Sequence, residues 1–323
     1  MRFIPKLLAL IFLATCFASQ MHGCAPKAAR KPVQLPDIPQ EISKGAGKEP
    51  SIKVFIAETG QIKEMQLERY VEAVVAGEMK NWFNEQALGA QAILARTYAL
   101  ELVGTHKHSA LNPDAHISTS FEEAQAWNPE GVNERVRRAV QRTRGKVAVY
   151  NGRYIKAWFH AHAGGVTATA KEGLNYEYPE PPFTKVVKSG EGAGAPPAYS
   201  AWRAVFTKEE VAGAVQKLGS NPGNFTSVTV IERGPSGRAT RIRVGNAVVH
   251  AADLRTALDS TRFKSTLLTS ARVEGNKVIF KGKGFGHGVG MSQWGAQEMA
   301  RRGENAGQII QYYFKDVDIV KLW

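Results

Sequence analysis

Between Gly282 and Gly290 a glycine stands at every second position, in the run Gly282-Lys283-Gly284-Phe285-Gly286-His287-Gly288-Val289-Gly290-Met291. In an extended chain successive side chains point to opposite faces. The spacing therefore strips one face bare and collects Lys283, Phe285, His287, Val289 and Met291 on the other. A bare face admits a second backbone or a ligand at close range. A phosphate loop is a poor reading, because no Gly-Lys-Ser/Thr follows and no strand–helix–strand unit surrounds the run. Ser292 is placed to cap a helix that begins at Gln293 and carries Trp294. His287, between two glycines, has little shielding from its neighbours, so either a site role or a structural one fits it.

A second constraint lies near the start of the folded region. Leu67, Val71 and Val74 recur at helical spacing, and the next position on that stripe is Glu78. Helical geometry thus points a carboxylate along an apolar face at a helix end. Desolvation raises a carboxyl pKa, which a general acid near neutral pH requires. The competing reading is a structural ion pair, with Arg96 as partner.

The remaining pattern mixes hairpins with helices and does not alternate strictly, which favours an α+β fold over a doubly wound sheet. Ile52, Val54 and Ile56 alternate as a strand does. Asn84 caps a helix over 85–103 that Gly104 ends, and another helix covers 133–143. Asn151-Gly152 joins two strands of a hairpin. Thr207 and Glu210 form a capping box for a helix that Gly219 closes. Strands are expected near 225–232, 238–244, 266–273 and 276–281, then helices near 293–302 and 307–313.

Arg2 and Lys6 precede an apolar run over 7–18, too short to span a bilayer, so residues 1–23 read as a secretory signal peptide. Cleavage near Ala18 and Ser19 is one reading. The other is a lipoprotein signal ending at Gly23-Cys24, in which acylated Cys24 anchors the chain at a membrane surface. Residues 24–50, rich in Pro and Lys and without aromatics, read as a disordered tether, leaving 51–323 as one large folded domain. The net charge of +13 favours an anionic polymer or membrane surface as partner. Export and the lack of any recognised module argue against nucleic acid. Both cysteines, Cys16 and Cys24, precede the folded part, which excludes a disulfide framework and a Cys-based metal site there. His160 and His162, two apart, would share a strand face and suit either a metal or a polar strand end. His106, His108 and His116 share a polar loop. No cofactor or metal is called for.

Two blocks carry a family resemblance. One runs from Tyr70 through Ala76-Gly77-Glu78-Met79 to Ala90-Gln91-Ala92 and Ala95-Arg96-Thr97-Tyr98. The other is Gly284-Phe285-Gly286-His287-Gly288-Val289-Gly290-Met291-Ser292-Gln293-Trp294-Gly295. Together they resemble the stage II sporulation protein D family, which includes amidase enhancers. The resemblance implies a peptidoglycan lytic transglycosylase acting on glycan strands, especially those stripped of stem peptides, with two lobes around a glycan cleft. It implies Glu78 as the catalytic acid and site roles for His287, Ser292 and Gln293. Trp294 and Phe285 are expected to stack on sugars, and Arg96 to contact substrate. Some members hold zinc through Cys ligands in the loop after the second helix; here 106–127 has no Cys, so zinc is not expected. The alternative function is a peptidoglycan-binding lipoprotein that enhances a separate amidase. Either way the expected location is the cell envelope.

Overall fold

The computed structural model describes residues 33–120 and 123–323. The signal peptide, Cys24 and the first part of the expected tether lie outside the described residues.

The architecture is α+β, with two hydrophobic cores. In the first lobe, β1 (Ser51–Ile56) pairs antiparallel with β2 (Gln61–Gln66) and parallel with Ile117–Ser118. Alternation along β1 buries Ile52, Val54 and Ile56 as expected. α1 (Leu67–Glu78) and α2 (Glu85–His106) follow, with Asn84 Oδ1 accepting the Gln86 N–H as the N-cap. α2 is buried along most of its length because its residues are small: at Gly89 an added Cβ would lie 3.1 Å from Thr143 Cγ2. It does not stop at Gly104 but runs on to His106, where Lys107 takes a left-handed φ of 65°. The helices Gln293–Arg301 and Ala306–Tyr313 pack on α2, so the two ends of the chain share one core. Asn84 N–H donates to Gln297 Oε1 at 2.8 Å and Ala306 N–H to Gln86 Oε1 at 3.0 Å, fastening that union.

The Asn151-Gly152 hairpin forms, with φ of 49° and 74° at its two turn residues, and its strand Lys146–Tyr150 also pairs with Asp318–Lys321. The second lobe is built from residues 202–280 around Phe206, Val211, Ile242, Leu254, Phe263 and Phe280. It holds two three-stranded antiparallel sheets and the helices Lys208–Lys217 and Ala251–Leu258. The Thr207–Glu210 capping box is reciprocal, and Gly219 beyond the helix has φ 75°. The strands β2, Trp202–Thr207 and Ala247–His250, and the helix Ala251–Leu258, lack the signals that marked the other elements: β2 is mostly exposed, and the others are short or bounded without Gly or Pro.

Two expectations change. Residues 33–50 do not all behave as a tether: Ile42 is 2% exposed in the first core. Glu49 accepts the Glu68 N–H at the start of α1 and pairs with Arg144 at 2.7 Å. A carboxylate at a helix N-terminus is favoured by the unsatisfied N–H groups there. The glycine run is not a flat strand either. Gly284, Gly286, Gly288 and Gly290 all have positive φ, between 71° and 107°, so the chain turns at each one. Val289 enters a small cluster with Ala168 and Ala170, Met291 enters the first core, and Phe285 and His287 face a cleft. The close approach is real, but its occupant is protein. Added Cβ atoms would lie 2.9 Å from His162 O at Gly284, 2.7 Å from His160 Cβ at Gly286, and 2.5 Å from the Arg238 guanidinium at Gly288.

Candidate active site

A cleft of about 900 Å³ opens at the C-terminal end of α1. Its wall comes from the α1–α2 turn (Met79, Lys80, Asn81, Phe83), from 124–131, from 157–161, from Tyr199 and Arg255, and from the glycine run with Gln293 and Trp294.

Glu78 ends α1 and is partly exposed in this cleft. Its Oε1 accepts the Ala126 N–H at 2.7 Å, and its Oε2 lies 3.4 Å from Gln293 Nε2. The preceding Gly77 makes this possible: an added Cβ would lie 2.8 Å from the Ala126 carbonyl carbon and the Trp127 nitrogen. Only a residue without a side chain lets the 124–127 backbone come near enough to meet the acid. Gln293 Nε2 also lies 3.4 Å from Gln91 Oε1, so a glutamine buried in α2 holds the glutamine that faces the acid. Burial raises the Glu78 pKa above the ordinary carboxylate value, while the hydrogen bonds from Ala126 and Gln293 draw it partly back. No cation pairs with it among the described residues. Its place at a helix C-terminus, where the backbone dipole disfavours an anion, pushes the same way.

Arg96, offered as partner to Glu78 or contact for substrate, does neither. It is fully buried and grips Glu68, at the other end of α1, through Nε–Oε1 at 3.1 Å and Nη2–Oε2 at 2.5 Å. On α2 Arg96 lies beside the first turn of α1, away from the cleft lining. Ser292 is also fully buried and outside the lining. Its Oγ caps the last long helix by accepting the Gly295 N–H and donates to Glu191 Oε1 at 2.9 Å. Its effect on the site is to orient that helix and hence Gln293.

His287 and His160 are clipped to one residue. Val289 N–H donates to His287 Nδ1 at 3.0 Å, and His160 Nδ1–H donates to Val289 O at 3.1 Å. Their rings meet edge to face at 5.6 Å. Burial, with the positive charge of Arg255, pushes His287 down to about 3. Burial, with His287 and Arg238, also holds His160 well below its ordinary value. Both rings are neutral at neutral pH and hold no proton that an acid would give. His162 is turned elsewhere, its Nδ1 accepting the Gly164 N–H. Among the described residues no group of three His, Cys, Asp or Glu is arranged to hold a metal ion.

Aromatic rings line two sides. Trp294 meets Phe83 at 4.8 Å and Trp82, 54% exposed, at 6.0 Å. Phe285 meets Tyr199 at 5.0 Å and carries the Lys264 ammonium 4.8 Å above its ring. Flat apolar faces beside polar groups suit sugar rings.

Glu78 is the only carboxylate among the described lining residues, which also include the cations Lys80 and Arg255. Tyr98 is pushed up to about 12, chiefly by burial, while Glu78 is the described carboxyl of the lining and burial raises its pKa from the carboxylate value. Gln91, Arg255, Tyr199 and the Ala126 N–H were not singled out from the sequence. Gln91 left a trace, as a polar residue in an apolar helix. Arg255 and a backbone N–H leave none.

A family model described as stage II sporulation protein matches residues 57–150, and a second, described as a domain of unknown function, matches 154–290. The cleft draws on both. The chain is 31% identical over 285 residues to stage II sporulation protein D of Bacillus subtilis, covering 83% of this chain and 78% of that one. An uncharacterized protein of Brachyspira hyodysenteriae is 32% identical over 260 residues, 80% of this chain and 68% of that one. The amidase enhancer of Bacillus subtilis is 26% identical over 288 residues, of which this chain spans 39% of the relative's length.

Proposed function

The chain belongs to the stage II sporulation protein D family, and on that premise we propose that it works on the cell wall as a peptidoglycan lytic transglycosylase. The observation that carries the reading is a single desolvated carboxyl, Glu78, in a cleft without a second described carboxylate. A hydrolytic glycosidase ordinarily needs two. A transglycosylase needs one, because the substrate supplies its own nucleophile. Protonated Glu78 gives its proton to the glycosidic oxygen as the bond from N-acetylmuramic acid to N-acetylglucosamine breaks. The resulting carboxylate takes the proton of the 6-hydroxyl on the same muramyl sugar, and that oxygen closes on C1. The product is a 1,6-anhydro end, and Glu78 is returned to its acid form. Gln293 and the Ala126 N–H steady the carboxylate between the two transfers.

The test is incubation with glycan strands, with and without stem peptides, followed by mass spectrometry of the ends. Wild-type protein is expected to yield 1,6-anhydromuramyl ends. Glu78→Gln is expected to lose cleavage by about 10²–10⁴-fold while folding normally. Turnover at the wild-type rate by folded Glu78→Gln protein sinks the assignment. Similarity to an amidase enhancer favours a second reading, glycan binding that stimulates a separate amidase without cleavage. Stimulation that survives in Glu78→Gln would support it.

An envelope location through acylated Cys24 belongs to the same proposal. Membrane partitioning abolished by Cys24→Ser is the expected result. An unlipidated N-terminus at Ser19 or Gln20 would overturn it.

A further inference from the structure

Arg255 stands on the Ala251–Leu258 helix of the second lobe and lines the same cleft as Glu78. Its Nε donates to Lys264 O at 3.1 Å and its Nη2 to Ser260 O at 3.2 Å. Two carbonyls thus fix the guanidinium plane without neutralising it. Among the described residues Arg255 forms no ion pair, and its Nη1 has no hydrogen-bond partner. Burial lowers its pKa to about 10, with no acid opposing that shift. A desolvated cation without a counter-ion is costly, and such groups are ordinarily paired. Arg238, fully buried in this lobe, differs in having the carboxylates Glu172 and Glu191 near enough to oppose its shift, and it lies outside the cleft lining.

The surroundings favour an anion as the missing partner. Lys80 is a second cation of the lining, and Glu78, the one described acid there, acts from its protonated form in the glycan reading above. We propose that Arg255 is the carboxylate-binding residue of the cleft and takes the free carboxylate of an acidic sugar in the glycan strand. The inference rests on the glycan reading above and deepens it. The lactyl group of muramic acid is a carboxylate when it bears no peptide and an amide when it does. A guanidinium fork pairs with the first through charge-assisted hydrogen bonds and with the second only weakly. Arg255 therefore makes the cleft sensitive to whether the strand has been stripped.

Binding separates this inference from catalysis. Glu78→Gln protein is titrated calorimetrically with three muramyl glycan oligomers of one length: lactyl carboxylates free, converted to methylamides, or carrying stem peptides. Free carboxylates are expected to bind about 10- to 100-fold tighter than methylamides. Adding Arg255→Gln should erase that difference, while Arg255→Lys, which keeps the charge, should retain part of it. Melting curves accompany each variant, and the Lys variant serves if the Gln variant does not fold. Equal affinity for free and methylamide strands overturns the proposal. So does tightest binding of stem-peptide strands that Arg255→Gln weakens, since the carboxylate read would then be the peptide's. A carboxylate preference in a protein that leaves no anhydro ends keeps this inference and removes the transglycosylase.

Discussion

α1 carries a glutamate at each end, and the fold treats the two oppositely. Glu68, in the first turn, is 8% exposed and satisfied on every side: Arg96 grips both oxygens, and Gly145 N–H and Trp323 Nε1–H donate to Oε1 at 2.9 and 3.1 Å. Glu78, in the last turn, has one backbone N–H, one long contact from Gln293 and, among the described residues, no cation. The first arrangement stabilises the anion and keeps it still. The second raises the Glu78 pKa and leaves the carboxyl open to a cleft. One helix therefore holds a carboxylate gripped by a cation at one end and a carboxyl without a described cation at the other.

The comparison can be broken most forcefully at the rate of cleavage. Glu78→Gln is expected to abolish it to the extent given above with little change in melting temperature, since no ion pair is lost. Next in size is the opposite end. Arg96→Met is expected to destabilise the protein by about 3–5 kcal/mol, because it leaves the Glu68 carboxylate buried and unpaired. Chemical denaturation measures this. A loss below about 1 kcal/mol would show that water or another cation replaces Arg96, and the contrast would fail.

The smallest effect is a pH dependence. Glu78 has its folded pKa above the unfolded value. The stability linked to its proton is therefore present below the ordinary carboxylate range and is lost as pH rises through the raised pKa. Melting temperatures of wild type and Glu78→Gln, followed from acid to alkaline pH, should separate in that direction, with the Gln variant relatively more stable at the alkaline end. Cleavage should fall along the same limb, since the donor must be protonated. His287, at about 3, adds no limb near neutrality. A rate that rises as Glu78 ionises would reassign it from acid to base.

Much of the first lobe was legible. The β1 alternation, the stripe of α1, the Asn84 cap and the Asn-Gly hairpin there, like the Thr207–Glu210 box of the second lobe, are local signals, and each was found where the spacing put it. Arg96 was misjudged because helical spacing brings it to α1 without saying which end of α1 it meets. His287 was expected on a bare, weakly packed strand. Instead its Nδ1 accepts the Val289 N–H and its ring packs on His160, because positive φ at the glycines folds the run back on itself.

The sequence alone determined the helix that carries Glu78, the apolar face that leads to it and the class of fold, because these depend on residues a few positions apart. Tertiary structure alone decided which glutamate is paired with Arg96, that Gly77 exists to admit the 124–127 backbone, and that Arg255 faces the same cleft from a second lobe. Those facts are contacts between segments far apart in the chain. Ala126 donates across 48 residues and Gln293 across 215, and no local periodicity encodes such a meeting. Packing within the first core brings them together, and the desolvation that this packing imposes is what raises the Glu78 pKa.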